Sequence, residues 1–278
     1  MNEVQKIAEV EPGAAVAVEV RPRRKGLYIL PNAITLAALF SGFYAVVMAI
    51  NGRFELACIA VFVAAVLDSL DGRVARMTNS QSAFGEQMDS LSDMVSFGAA
   101  PALIVYIWGL KDLGRWGFIP AFVYISGAAL RLARFNVNIG VVDKRFFQGL
   151  PSPAAAAVVI GLIWVVDDAG YKGVSAIPLL AWTAFAVTLY AGLSMVTNAP
   201  FYSFKVVGAR RTVPFIVIVA IALSIAVVML DPPRVLFAIF CAYGLSGYVV
   251  YGWRRMKGKP ASVIATSTDE PDEQGLHR

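Results

Sequence analysis

Histidine is almost missing from this chain of 278 residues: the single one, His277, stands in the polar C-terminal stretch. Acid–base chemistry in the body of the protein therefore falls to carboxylates, lysine, tyrosine or water. Cysteine is nearly as scarce. Cys58 and Cys241 both lie inside apolar runs with no ligand-like spacing, which argues against a disulfide framework and leaves both as packing residues. Charge is thin as well, with 15% of residues charged against 58% hydrophobic and a mean hydropathy of +0.66, outside the balance of a soluble domain. The dyad alternation of barrel strands is also lacking. Unpaired backbone groups are costly in hydrocarbon, so a spanning chain is helical or a closed barrel, and long continuous apolar runs select helices. The expected fold class is all-α: a polytopic transmembrane helical bundle.

Apolar segments near residues 31–50, 54–77, 86–108, 116–137, 152–167, 175–196, 213–230 and 235–252 give about eight spans. They divide the chain into a polar, basic stretch at 1–26, a membrane domain at 27–255 and a structureless polar tail at 256–278. The net charge of +5 does not point to nucleic acid, because the basic residues flank apolar segments rather than forming one polar domain. With the N-terminus inside, nineteen Lys and Arg residues fall on the inner side and five on the outer. Both termini are thus expected in the cytoplasm. Trp108, Trp116, Trp164 and Trp253 fall near span ends and read as interfacial anchors.

One stretch breaks the apolar pattern. Leu67 to Gly98, "LDSLDGRVARMTNSQSAFGEQMDSLSDMVSFG", holds Asp68, Asp71, Asp89 and Asp93. On a helix Asp68, Asp71, Gly72, Ala75 and Arg76 form one stripe, and Gly85, Asp89 and Asp93 form another on the next span. A short link makes the two spans antiparallel neighbours, so the acidic faces can meet. Four carboxylates at membrane depth repel one another and resist desolvation, so a positive partner is needed. Arg73 and Arg76 supply part of it; hard oxygen ligands from two helices suit a divalent cation, Mg²⁺ best. Gly72 and Gly85 remove side chains where a ligand or a second helix comes close.

These residues fit D-x2-D-G-x2-A-R-x8-G-x3-D-x3-D at all eight fixed positions, and the chain thereby resembles the CDP-alcohol phosphatidyltransferases. "ALRLARFNV" at 129–137 and "FQGLPSPAAA" at 147–156 look like the family's phosphatidylserine synthase branch. The resemblance implies transfer of the phosphatidyl group of CDP-diacylglycerol to the hydroxyl of L-serine, giving phosphatidylserine and CMP. It implies two divalent cations, Mg²⁺ or Mn²⁺, on Asp68, Asp71, Asp89 and Asp93, with Asp93 also the general base. CDP-diacylglycerol is expected against Asp71, Gly72, Ala75, Arg76 and Gly85. A homodimer is implied too.

The serine carboxylate needs cationic or N–H partners, for which Arg131, Arg134 and Gln148 are the candidates, with Asn136 and Asn138 beyond. Lys205, Arg210 and Arg211 stand in an inner loop where they would attract phosphate groups. The expected setting is the cell (inner) membrane, with membrane lipids as neighbours and the site facing the cytoplasm. Two alternatives remain open at this point. The same chemistry on glycerol 3-phosphate, inositol phosphate or choline shares the aspartate motif, and a cation transporter also needs intramembrane aspartates.

Overall fold

The structure, a computed structural model, describes residues 29–78, 80–137, 146–171, 177–202 and 215–257. The readings of the N-terminal stretch, of the tail after Lys257, of Asn138 and of Lys205, Arg210 and Arg211 lie outside these residues. Within them each of the eight apolar segments coincides with helix. The elements are α1 (Ile29–Ile50), α2 (Phe54–Met77), α3 (Ala83–Asp93), α4 (Ala100–Trp108), α5 (Arg115–Val137), α6 (Ser152–Asp168), α7 (Pro178–Val196), α8 (Phe215–Leu230) and α9 (Pro232–Met256). Among the described residues, five helical stretches are long and apolar enough to cross a membrane: α1, Ala83–Trp108, α5, α7 and α9. α6 and α8 are shorter, at 17 and 16 residues, and α2 carries Asp68, Asp71, Arg73 and Arg76 in its last turns. The protein is an integral membrane protein with a helical bundle.

Small residues set how closely the rods approach. α1 lays Ala38, Ala45 and Ala49 in the core beside Ala57, Cys58, Ala60 and Ala64 of α2, and Ser41 Oγ donates to the Ala60 carbonyl at 2.7 Å. Gly52, at φ +72°, makes the tight connection between them. α6 is the central rod, buried on almost every side from Ser152 to Val166. Its "SPAAAAVVIGL" run gives neighbouring helices a smooth surface, and a helix walled in by others need not match the hydrocarbon thickness. α8 packs on α9 and otherwise turns apolar side chains such as Leu223 and Met229 outwards.

Three features depart from the sequence expectation. The third apolar segment is not one regular helix: Met94–Ala99, immediately after Asp93, is π-helical. Tyr124 of α5 supplies a donor there, its hydroxyl reaching the Phe97 carbonyl at 2.9 Å. The second is a two-stranded antiparallel ladder, β1 (Phe146–Gln148) on β2 (Pro200–Tyr202), which ties the start of α6 to the end of α7. Gly149, at φ +79°, turns the chain out of β1 and donates to the Ala199 carbonyl. Trp108 is also not an interfacial anchor. At 2% exposure it belongs to the core, whereas Trp116 (62%) and Trp253 (56%) face outwards.

Candidate active site

The acidic helices meet as an antiparallel pair braced by α1. α2 runs towards the end where Ile29 begins α1, and α3 starts there, with Ser82 capping it by accepting from the Gly85 N–H at 3.0 Å. Asp71 and Asp89 therefore lie near the mouth. Asp68 and Asp93 lie about one helical turn deeper. Ligand oxygens of Asp68, Asp71 and Asp89 all fall within 4.8 Å of one another. Asp93 lies close enough to Asp68 and Asp89 for their charges to repel, and its Oδ1 is buried with no hydrogen-bond partner among the described residues.

Crowding of this kind has a physical cost that names its remedy. Three carboxylates this close repel strongly in a medium of low dielectric, and an orphaned buried oxygen adds an unmet demand for a cation or donor. The donor set is all hard oxygen, from two helices, which fits Mg²⁺ or Mn²⁺ and is unlike a thiolate or imidazole site.

A cleft of about 250 Å³ opens above the aspartates, lined on one side by Asp71, Gly72, Ala75 and Arg76 and on the other by Gly85, Glu86 and Asp89. The expected CDP-diacylglycerol residues thus share one wall system. The two glycines differ in what they leave room for. A Cβ on Gly72 would meet nothing within 4 Å, so the space belongs to the open cleft; one on Gly85 would meet Ser82 Oγ at 3.2 Å and Asn32 Oδ1 at 3.3 Å, so that glycine makes room for the helix cap and for α1. Arg76 folds back along its own helix, its Nε donating to the Gly72 carbonyl at 2.9 Å.

The residues expected to take serine divide into two places. Arg131 of α5 is near enough to Asp93 for the two charges to attract. Its Nη1 donates to Ser152 Oγ at 2.8 Å, and its Nε is buried without a hydrogen-bond partner among the described residues. Arg134 and Gln148 meet instead at Asn198 Oδ1, at 3.1 and 2.7 Å, and Arg134 also donates to the Val196 carbonyl at 3.2 Å. Asn136 is occupied by Ser90 at 3.0 Å.

Sequence reasoning missed the contribution of α1. Pro31, Asn32 and Thr35 line the cleft, and Thr35 Oγ1 donates to Asp71 Oδ2 at 2.7 Å. The available signal was "PNAIT" itself, two polar residues three apart at the start of an otherwise apolar span. Ser152 and Asn198 were missed because their roles depend on contacts far apart in the chain.

Comparison with known proteins agrees with the geometry. Residues 28–193 match the CDP-alcohol phosphatidyltransferase family. The chain is 35% identical over 224 residues to the CDP-diacylglycerol–serine O-phosphatidyltransferase of Helicobacter pylori strain J99, covering 80% of this chain and 92% of that protein. It is 30% identical over 233 residues to the protein of the same name from Mycobacterium bovis, covering 80% and 79%. It is also 38% identical over 132 residues to the archaetidylserine synthase of Methanothermobacter thermautotrophicus, covering 47% of this chain and 55% of that one.

Proposed function

The chain belongs to the CDP-alcohol phosphatidyltransferase family, and from that premise we propose how its residues divide the work of a phosphatidyl transfer to serine. The protein is an enzyme that moves the phosphatidyl group of CDP-diacylglycerol onto the hydroxyl of L-serine, giving phosphatidylserine and CMP. Family membership sets aside the cation transporter, and the names of the relatives favour serine over glycerol 3-phosphate, inositol phosphate or choline.

Asp68, Asp71, Asp89 and Asp93 would hold two divalent cations, Mg²⁺ or Mn²⁺, which when bound neutralise the diphosphate and stabilise the charge that develops as the anhydride breaks. Gly72, Ala75, Arg76 and Gly85 bind the cytidine diphosphate in the cleft, with Arg76 near phosphate. Asp93 is the general base. It takes the serine hydroxyl proton as the new O–P bond forms and the bond to the CMP oxygen breaks, so CMP leaves with the electron pair. Arg131, beside Asp93, orients the serine carboxylate, and the Arg134–Gln148–Asn198 group guards the approach. The observation that supports this reading most is the convergence of Asp68, Asp71 and Asp89, whose ligand oxygens lie within 4.8 Å of one another, at the cleft lined by Gly72, Ala75, Arg76 and Gly85.

The site faces the cytoplasm, where serine is dissolved, and the membrane is the cell membrane. A homodimer, which the resemblance implies, is a separate proposal checked by the mass of the particle in detergent.

The reaction is tested by CMP release from purified protein with CDP-diacylglycerol and Mn²⁺ or Mg²⁺, with each acceptor alcohol in turn. Release is expected with L-serine, and Asp93→Asn is expected to lower it at least about 100-fold, the low end of general-base contributions. Release with another alcohol in place of serine would move the acceptor. An Asp93→Asn protein as active as the wild type would remove the base.

A further inference from the structure

α1 carries no carboxylate, yet one of its residues touches both acidic helices. Thr35, 4% exposed, directs its hydroxyl at Asp71, which is itself only 4% exposed. The Oγ1–Oδ2 distance is 2.7 Å, against 3.1 Å to the Pro31 carbonyl one turn back. A hydroxyl has one hydrogen to give, and the shorter, charge-assisted bond to the carboxylate is the stronger. The backbone of the same residue holds the other helix: Ser92 Oγ donates to the Thr35 carbonyl at 3.2 Å, and Ser92 directly precedes Asp93.

We infer that Thr35 is a positioning residue for the carboxylate cluster, fixing Asp71 through Oδ2 and turning Oδ1 towards Asp68 and Asp89, while its carbonyl sets the distance of α3. The inference rests on the metal-site reading above. The physical reason is general: a carboxylate with one oxygen hydrogen-bonded keeps a single rotamer, and loss of such an outer partner typically weakens metal binding about 10- to 100-fold.

The test is Mn²⁺ binding to the purified protein without substrate, followed by the loss of the free-ion electron paramagnetic resonance signal. Wild type is expected to bind and Asp71→Asn to bind weakly. Thr35→Val, which keeps the shape and removes the donor, is expected to raise the dissociation constant about 10-fold or more. Thr35→Ser restores the donor and is expected to stay within about threefold of wild type, because an outer partner acts through its hydrogen bond rather than through its volume. Thr35→Val in the Asp71→Asn background is expected to add no further loss, since the two changes remove one interaction. Equal binding by Thr35→Val and wild type would overturn the inference, as would a Thr35→Ser protein as weak as Asp71→Asn. Should Thr35→Val fail to fold, Thr35→Ala, which also removes the donor, takes its place: weakened Mn²⁺ binding beside an unchanged Thr35→Ser supports the inference, and wild-type binding overturns it. A wild-type protein that takes up no Mn²⁺ would overturn the metal-site reading itself, and this inference with it.

Discussion

At the scale of single residues, Gly72 separates a binding role from a packing role. It lies in α2, where glycine is a poor helix former, and nothing stands within 4 Å of the position its Cβ would occupy. Valine there improves the helix by a few tenths of a kcal/mol, by propensity alone, and its Cβ meets no neighbour. Gly72→Val is therefore expected to leave the melting temperature unchanged or slightly raised. It is also expected to raise KM for CDP-diacylglycerol about 10-fold or more, as a side chain filling the site would, with KM for serine unmoved. A variant that loses stability but keeps that KM would show that the glycine serves packing. The aspartate stripes were legible in the sequence because helical periodicity converts spacing into a shared face. Thr35, Ser152 and Asn198 were not, because each acquires its role from a partner on another element: Asp71, Arg131 and Gln148 respectively.

At the scale of elements, the crossing of α5 and α7 shows why the positions of helices were readable and their internal breaks were not. Apolar runs mark rods, but the π-helical turn after Asp93 depends on what lies beside it. Tyr124 holds the Phe97 carbonyl, and Tyr124 is positioned where α5 presses on α7. A Cβ on Gly192 would come within 2.8 Å of the Tyr124 Cα, and one on Gly127 would collide with the Gly192 carbonyl group. Gly127→Val is accordingly an overpacking change against backbone, with an expected cost of about 1–3 kcal/mol or more. A thermal melt in detergent should show a clear fall for Gly127→Val and no fall for Gly252→Val, whose Cβ position is empty within 4 Å. Equal melting temperatures would mean that the two helices separate freely. Because Tyr124 moves with α5, the Gly127 variant should lose activity along with stability.

At the scale of the whole molecule, the two ends of the bundle differ in charge. The starts of α1, α3 and α6 and the ends of α2, α5, α7 and α9 share one end, linked by Thr35–Asp71, Arg131–Ser152 and Ser194–Tyr248. Among the described residues this end carries Arg73, Arg76, Arg131, Arg134, Arg254, Arg255 and Lys257. The other end has Arg53, Lys111, Arg115 and Arg234, and Arg234 is paired with Asp168 and Asp231. The hydrogen bonds from Arg234 hold the exposed Asp231 carboxyl below the usual range. That contact is kept above the ordinary carboxylate pKa and lost as the pH falls through the depressed one. Positive charge is retained on the cytoplasmic side, so the cleft end is expected to face the cytoplasm. The check uses a Cys241→Ala background, since Cys58 is buried and Cys241 half-buried, with Lys111→Cys and Lys257→Cys introduced singly; both lysines are exposed. In sealed right-side-out vesicles an impermeant maleimide should label position 111 and spare position 257 until detergent is added. The reverse pattern would turn the cleft outwards, away from cytoplasmic serine, and would leave the surplus of basic residues on the face that the bilayer normally denies them.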